Sequence, residues 1–135
     1  MKKILSAVLA AVALNAQAAD VQIEVSGVQN AQGKLMVALY NSADSYLKKP
    51  AYVLQQPAQT GLTQMTISGV AEGEYAMAIF HDANDNQRMD RNPSGMPLED
   101  FAFSNNAQGD MGPPTFASAS FKVPAGGVSL KLKFN

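Results

Sequence analysis

The sequence predicts an all-β domain, an antiparallel β-sandwich of about seven short strands. Three observations predict it. Apolar residues alternate with polar ones at period two through most of the chain, as half-buried strands require. Turn-forming Gly, Pro, Asn and Asp separate these runs. No convincing amphipathic helix follows residue 18.

In order, Val21, Ile23 and Val25 alternate with Gln22, Glu24 and Ser26, and Gly27 closes the run. A turn at Asn30-Ala31-Gln32-Gly33 leads into Lys34 to Tyr40, where Leu35, Val37 and Leu39 share a face. Ser42 to Lys49 has the makings of a helical turn or two capped by Ser42. Residues 51–54, set between Pro50 and Pro57, read as an edge strand because proline cannot donate to a ladder. Met65 and Ile67 mark a strand ending near Gly69. Glu74 to His81 is apolar on both faces, which predicts a central strand covered on both sides. Residues 82–115 break the rhythm and read as one long polar loop. Phe116 to Val123 and Val128 to Phe134 complete the strands. Phe101, Phe103, Phe116 and Phe121 are expected to pack in the core, and Tyr40, Tyr52 and Tyr75 are available to line an opening.

The N-terminus predicts export. Lys2 and Lys3 precede eleven uncharged residues from Ile4 to Leu14, and Ala16 and Ala18 form a small-x-small cleavage site. The apolar run is too short for a membrane span, which needs about 20 residues. The expected division is a signal peptide at 1–18 and one domain at 19–135, periplasmic or secreted, with no membrane insertion after cleavage. Losing Lys2 and Lys3 lowers Lys plus Arg from 10 to 8 against 11 acidic residues, a net charge near −3. No basic field remains for nucleic acid or an anionic membrane surface. The absence of cysteine excludes thiolate zinc sites, thiol catalysis and disulfide stapling.

Six of the eleven acidic residues fall between positions 82 and 110, and the chemistry concentrates there. Asp82, Asn84, Asn86 and Asp90 form a D-x-N-x-N-x-x-x-D pattern that places oxygens at positions 1, 3, 5 and 9 of a calcium loop. Arg88 stands at position 7, where the backbone carbonyl is the ligand. Two positions depart from the pattern. Gln87 occupies position 6, where glycine usually makes a left-handed turn, at a strain of about 1 kcal/mol. Pro93 replaces the bidentate carboxylate of position 12, leaving Glu99 or Asp100 to supply it. The pattern therefore predicts a weak calcium site at most. A metal-free loop held by Asp and Asn hydrogen bonds, with Arg88 or Arg91 against the carboxylates, is the competing expectation.

His81, the single histidine, reads as a structural residue at a strand end, and no catalytic residue is assigned. Strand neighbours His81 and Asp82 should point to opposite faces. Ser94, Ser104 and Ser118 lack a nucleophile-elbow context. Asp90 paired with Glu99 lacks the aromatic platform a glycosidase needs.

The order of the Gly33 hairpin, Tyr75-Ala76-Met77-Ala78-Ile79-Phe80-His81-Asp82, the Asp/Asn loop, Gly95-Met96-Pro97-Leu98-Glu99 and Phe103-Ser104-Asn105-Asn106 resembles the DUF2141 family of small exported bacterial proteins. The resemblance implies an immunoglobulin-like or prealbumin-like β-sandwich and supplies no activity. In that family a glycine commonly follows the second loop Asn, where this chain has Gln87. A comparison with transthyretin-related hydroxyisourate hydrolases fails, because those rely on several histidines and a Tyr-Arg-Gly-Ser ending, whereas this chain ends Lys131-Leu132-Lys133-Phe134-Asn135.

The resulting expectation is an exported, non-enzymatic binding or accessory module for a protein or small-molecule ligand. Two alternatives stand beside it. One is a small hydrolase or lyase using His81 with Asp82 or Glu99. The other is a structural subunit of a surface assembly that pairs through the 51–54 edge.

Overall fold

A computed structural model describes residues 18–134. The expected signal falls on residues 1–18, and all of it but Ala18 lies outside the described residues. Eight strands form two packed sheets: β1 (Ala18–Val28), β2 (Lys34–Tyr40), β3 (Tyr52–Pro57), β4 (Gly61–Ala71), β5 (Gly73–Asp82), β6 (Phe101–Phe103), β7 (Ser120–Val123) and β8 (Val128–Lys133). One sheet has the order β4-β1-β8. The other has the order β3-β2-β5-β6, with β7 pairing β5 beyond the end of β6.

The alternation read from the sequence decides what each strand buries. Val21, Ile23 and Val25 of one sheet face Leu35, Val37, Leu39, Tyr75, Met77 and Ile79 of the other, and all of them are buried. Full burial of such side chains stabilises by about 1.5–3 kcal/mol each. The outward residues of β5 are covered as well. Ala76 packs with Phe103 and Ala119, and Tyr46, Ala78, Phe101 and Phe116 lie against them. Tyr46 comes from the Ser42–Lys49 turn, where Ser42 Oγ accepts the Ser45 N–H at 3.1 Å. Its ring meets Tyr40 edge-on at 5.6 Å and Phe116 at 5.8 Å, and its hydroxyl donates to the Pro114 carbonyl at 2.8 Å. β5 is therefore the central strand covered on both faces, and β3 is an edge strand that among the described residues pairs β2 alone.

Three details differ from the sequence reading. Phe116–Ala119 is a helical turn, α1, capped by the Thr115 side chain on the Ser118 N–H, and the strand begins only at Ser120. The expected polar loop at 82–115 contains β6 and the turn Ser104–Asn106. Finally, β1 and β8 pair parallel, while every other strand pair is antiparallel. β8 crosses from β7 into the opposite sheet at the Pro124–Gly127 turn, so it arrives running with β1 and not as a hairpin partner.

The tyrosines expected near an opening serve as stitches. Tyr52 OH accepts the Ala71 N–H at 3.0 Å and Tyr75 OH donates to the Ala71 carbonyl at 2.7 Å, tying the end of β4 to the other sheet. Among the described residues no helix is long and apolar enough to cross a membrane.

Candidate functional site

The polar loop begins where β5 ends, and Gly33 sets its origin. Gly33 adopts φ +63°, and a β-carbon there would overlap the Asp82 carbonyl oxygen and crowd that of Ala83. The β1–β2 turn thus lies directly against the first loop residues. His81 points inward, is buried, and its Nε2 lies 2.6 Å from the Gln32 carbonyl oxygen of that turn. A carbonyl oxygen can only accept, so the Nε2 that faces it donates its N–H. Asp82 takes the opposite face. No hydrogen bond among the described residues joins the His81 imidazole to the Asp82 or Glu99 carboxylate.

Asp82 is fully buried and organises the loop from within. Its Oδ1 accepts the Asn86 N–H at 3.1 Å and its Oδ2 accepts the Gln87 N–H at 2.7 Å. These two bonds wind residues 82–87 into one tight coil. Asp85 and Gln87 both enter the left-handed region, at φ +56° and +69°. Gln87 therefore adopts the turn that glycine would make more easily. Asp85 faces outward and pairs with Lys34 Nζ at 2.9 Å, a contact the sequence did not announce because Lys34 lies on another strand.

The coil turns Asn84 and Asn86 toward one point. Asn84 Nδ2 donates to Asp90 Oδ2 at 2.6 Å, and Asn86 Nδ2 donates to Asp90 Oδ1 at 2.7 Å. The Asn86 and Asn84 amides, with a smaller contribution from Arg88, hold the Asp90 carboxyl below its ordinary pKa of 3.8. Asn86 Oδ1 accepts the Arg88 N–H at 3.1 Å. Glu99 returns from farther along the chain, and its Oε1 accepts the Asp90 N–H at 3.1 Å. The segment between them is a small hairpin. The Leu98 N–H donates to the Asp90 carbonyl, Arg91 bridges Pro97, and Asn92 Oδ1 caps Ser94 and Met96. Asn92-Pro93-Ser94-Gly95 is a turn signature in the sequence, so this closure was open to prediction. The Asp100 side chain has no place in the cluster, while its carbonyl accepts the His81 N–H.

The sequence-predicted residues thus divide. Asn84, Asn86 and Asp90 converge, Asp82 lies beneath them as the inner support, and Glu99 braces the backbone of Asp90. Among the described residues no three His, Cys, Asp or Glu side chains gather as metal ligands. The donor set is two carboxylates with amide and carbonyl oxygens, which suits a hard cation and does not suit zinc. Each carboxylate oxygen is also satisfied by an N–H, so the loop is self-consistent without an ion.

The sequence profile of the family described as "Uncharacterized protein conserved in bacteria (DUF2141)" matches residues 23–131, nearly the whole of the two sheets and all of this loop. The chain belongs to the DUF2141 family. No curated protein and no solved structure matches it. For this DUF2141 domain, the loop that the family match spans is also where the polar side chains meet.

Proposed function

We propose that this DUF2141 protein is an exported, non-enzymatic binding module whose 82–100 loop is its working surface and takes up calcium. Asp82, Asn84, Asn86, the Arg88 carbonyl and Asp90 are the donors, and Glu99 supports them by holding the Asp90 N–H. The observation that carries the reading is the convergence of the Asn84 and Asn86 amides on the Asp90 carboxylate. A planar amide exposes an oxygen or a nitrogen by a half-turn of its last torsion, and the two ends have nearly the same shape. Turning Asn84 and Asn86 in place would set two amide oxygens where two N–H donors now face Asp90. The left-handed Gln87 and the two backbone bonds to Asp82 give the coil that calcium loops of this spacing use. With few carboxylates the affinity belongs in the range of about 10⁻⁴–10⁻³ M found for extracellular modules.

Export makes that range useful, because calcium is far more available outside the cytosol. The function read here is positional: the ion stiffens the 90–98 hairpin and presents exposed Met96 and Leu98 in a fixed arrangement. Isothermal titration of the purified domain with calcium tests the reading. One saturable site that Asp90→Asn abolishes supports it, and no heat up to 5 mM calcium (about five times the weakest Kd of that range) contradicts it.

A further inference from the structure

A second site lies away from this loop, at the free edge of β6. The pairing of β5 with β6 is fixed by register, with Ala78 opposite Phe103, Ile79 opposite Ala102 and Phe80 opposite Phe101. The same register continues to His81, whose N–H donates to the Asp100 carbonyl at 2.9 Å. In an antiparallel ladder the pairs that exchange bonds alternate with pairs that do not. His81 and Asp100 therefore stand at a hydrogen-bonding position of the ladder, where only the His81 N–H bond is made, and Ile79 and Ala102 hold the next such position. The other end agrees: the Met77 N–H, next in the alternation, points at residue 104 and is taken by Ser104 Oγ at 3.0 Å. It follows that the N–H and C=O groups of Phe101 and Phe103 point away from β5.

No other strand pairs with that edge among the described residues. It borders a cleft of about 340 Å³ lined by Phe101, Phe103, Ala107, Gly109, Gly112 and Lys133, among others. The far wall is the 107–114 segment. A β-carbon on Gly109 would overlap the Gly112 carbonyl oxygen and Pro113, so only glycine lets the segment fold on itself there. The Tyr46 hydroxyl holds its end at Pro114. The floor is braced by Asn106, whose Oδ1 accepts the Lys133 N–H at 3.1 Å. The Lys133 side chain is exposed and joins no ion pair among the described residues.

We infer that this cleft receives the carboxyl-terminal residues of an extended peptide, which adds as a short strand to β6 and sets its terminal carboxylate near Lys133. Strand addition supplies what the edge lacks, since main-chain donors and acceptors of the peptide meet those of Phe101 and Phe103. β6 has three residues, so the cleft takes about three at a rise of about 3.4 Å each. The carboxylate assignment comes from charge: among the described residues that line the cleft, Lys133 is the one with an ionisable side chain. The inference is independent of calcium, because none of the lining residues belongs to the loop donors.

The test is a titration of the isotope-labelled domain, followed by amide chemical shifts, with N-acetyl-Val-Ala-Phe bearing a free carboxylate and with its carboxamide. Saturable shifts at Phe101, Phe103 and 107–112, with the free acid binding about three- to fivefold tighter than the amide, are expected. Lys133→Met should remove that difference while leaving the spectrum of the free domain largely unchanged. N-methylation of the peptide's central amide should weaken or abolish binding, depending on which way that N–H points, and N-methylation of each amide in turn should find at least one position that abolishes it. No saturable shift up to 10 mM peptide (on the order of the weakest affinities read as specific), equal binding of acid and amide, shifts confined to another edge such as β3, or tolerance of methylation at every position would each overturn the proposal.

Discussion

Asp82 and Asp90 are the same residue type eight positions apart and do different work. Asp82 is fully buried, and both of its oxygens hold backbone N–H groups of the coil. Asp82→Ala removes both acceptors; hydrogen bonds to charged groups are worth about 1.5–3 kcal/mol each, and water reaching the exposed Asn86 and Gln87 offsets part of that loss. Chemical denaturation should register a loss of about 2–3 kcal/mol, with calcium unable to restore it fully. The Asp90 carboxylate lies at the surface of the coil and accepts hydrogen bonds from side chains alone. Asp90→Asn should leave the metal-free melting temperature nearly unchanged and remove any response to calcium. Because its carboxyl is held below 3.8, Asp90 favours the folded state above about pH 4 and loses that contribution as pH falls through its lowered value. Amide chemical shifts of residues 84–90 followed through acid pH should show the loop loosening there.

Among the elements, the Phe103–Asn106 corner carries more than its length suggests. Ser104 Oγ accepts the Met77 N–H and donates to the Ala119 carbonyl, and Asn105 donates to the carbonyls of Ser118 and Ser120. Asn105 and Asn106 hold left-handed backbone at φ +63° and +50°, which asparagine tolerates better than most residues. The corner thus fastens α1, β7 and β8 onto β5. Ser104→Ala should cost about 1–3 kcal/mol by urea unfolding, because a buried N–H loses its partner. This region also shows where the sequence could be read and where it could not. β2 and the central placement of β5 were legible because a strand's period is local, and two-faced apolar character marks a covered strand. β6 was hidden because three residues carry too little alternation to stand out from an Asp- and Pro-rich surround. The first half of 116–123 looked like strand, but Thr115 caps a turn that Ala117 and Ala119 readily fill. In the candidate site, the spacing of Asp82, Asn84, Asn86 and Asp90 was visible in the sequence. The Lys34–Asp85 pair and the support of Gly33 were not, since both arise from strands distant in sequence.

Across the whole molecule, two sheets share one core without disulfides, and tyrosines do part of the stitching. Burial first, then Tyr40, pushes Tyr46 up from 10.0 to about 12. Burial, then Tyr52, does the same for Tyr75. A phenol whose folded pKa is raised favours folding fully below pH 10, and that advantage declines as pH rises through 12. Stability measured by urea midpoints should therefore fall between pH 10 and 12, and Tyr46→Phe should flatten that fall. Calcium uptake by the polar loop is decided by one thermal melt: the domain without its first 18 residues, in 2 mM calcium against chelator. For a site with Kd near 10⁻⁴ M, calcium should raise the melting temperature by about 4–8 °C, and magnesium should not reproduce the rise. Superimposed curves in calcium and chelator, with the loop's amide signals unmoved, would contradict it.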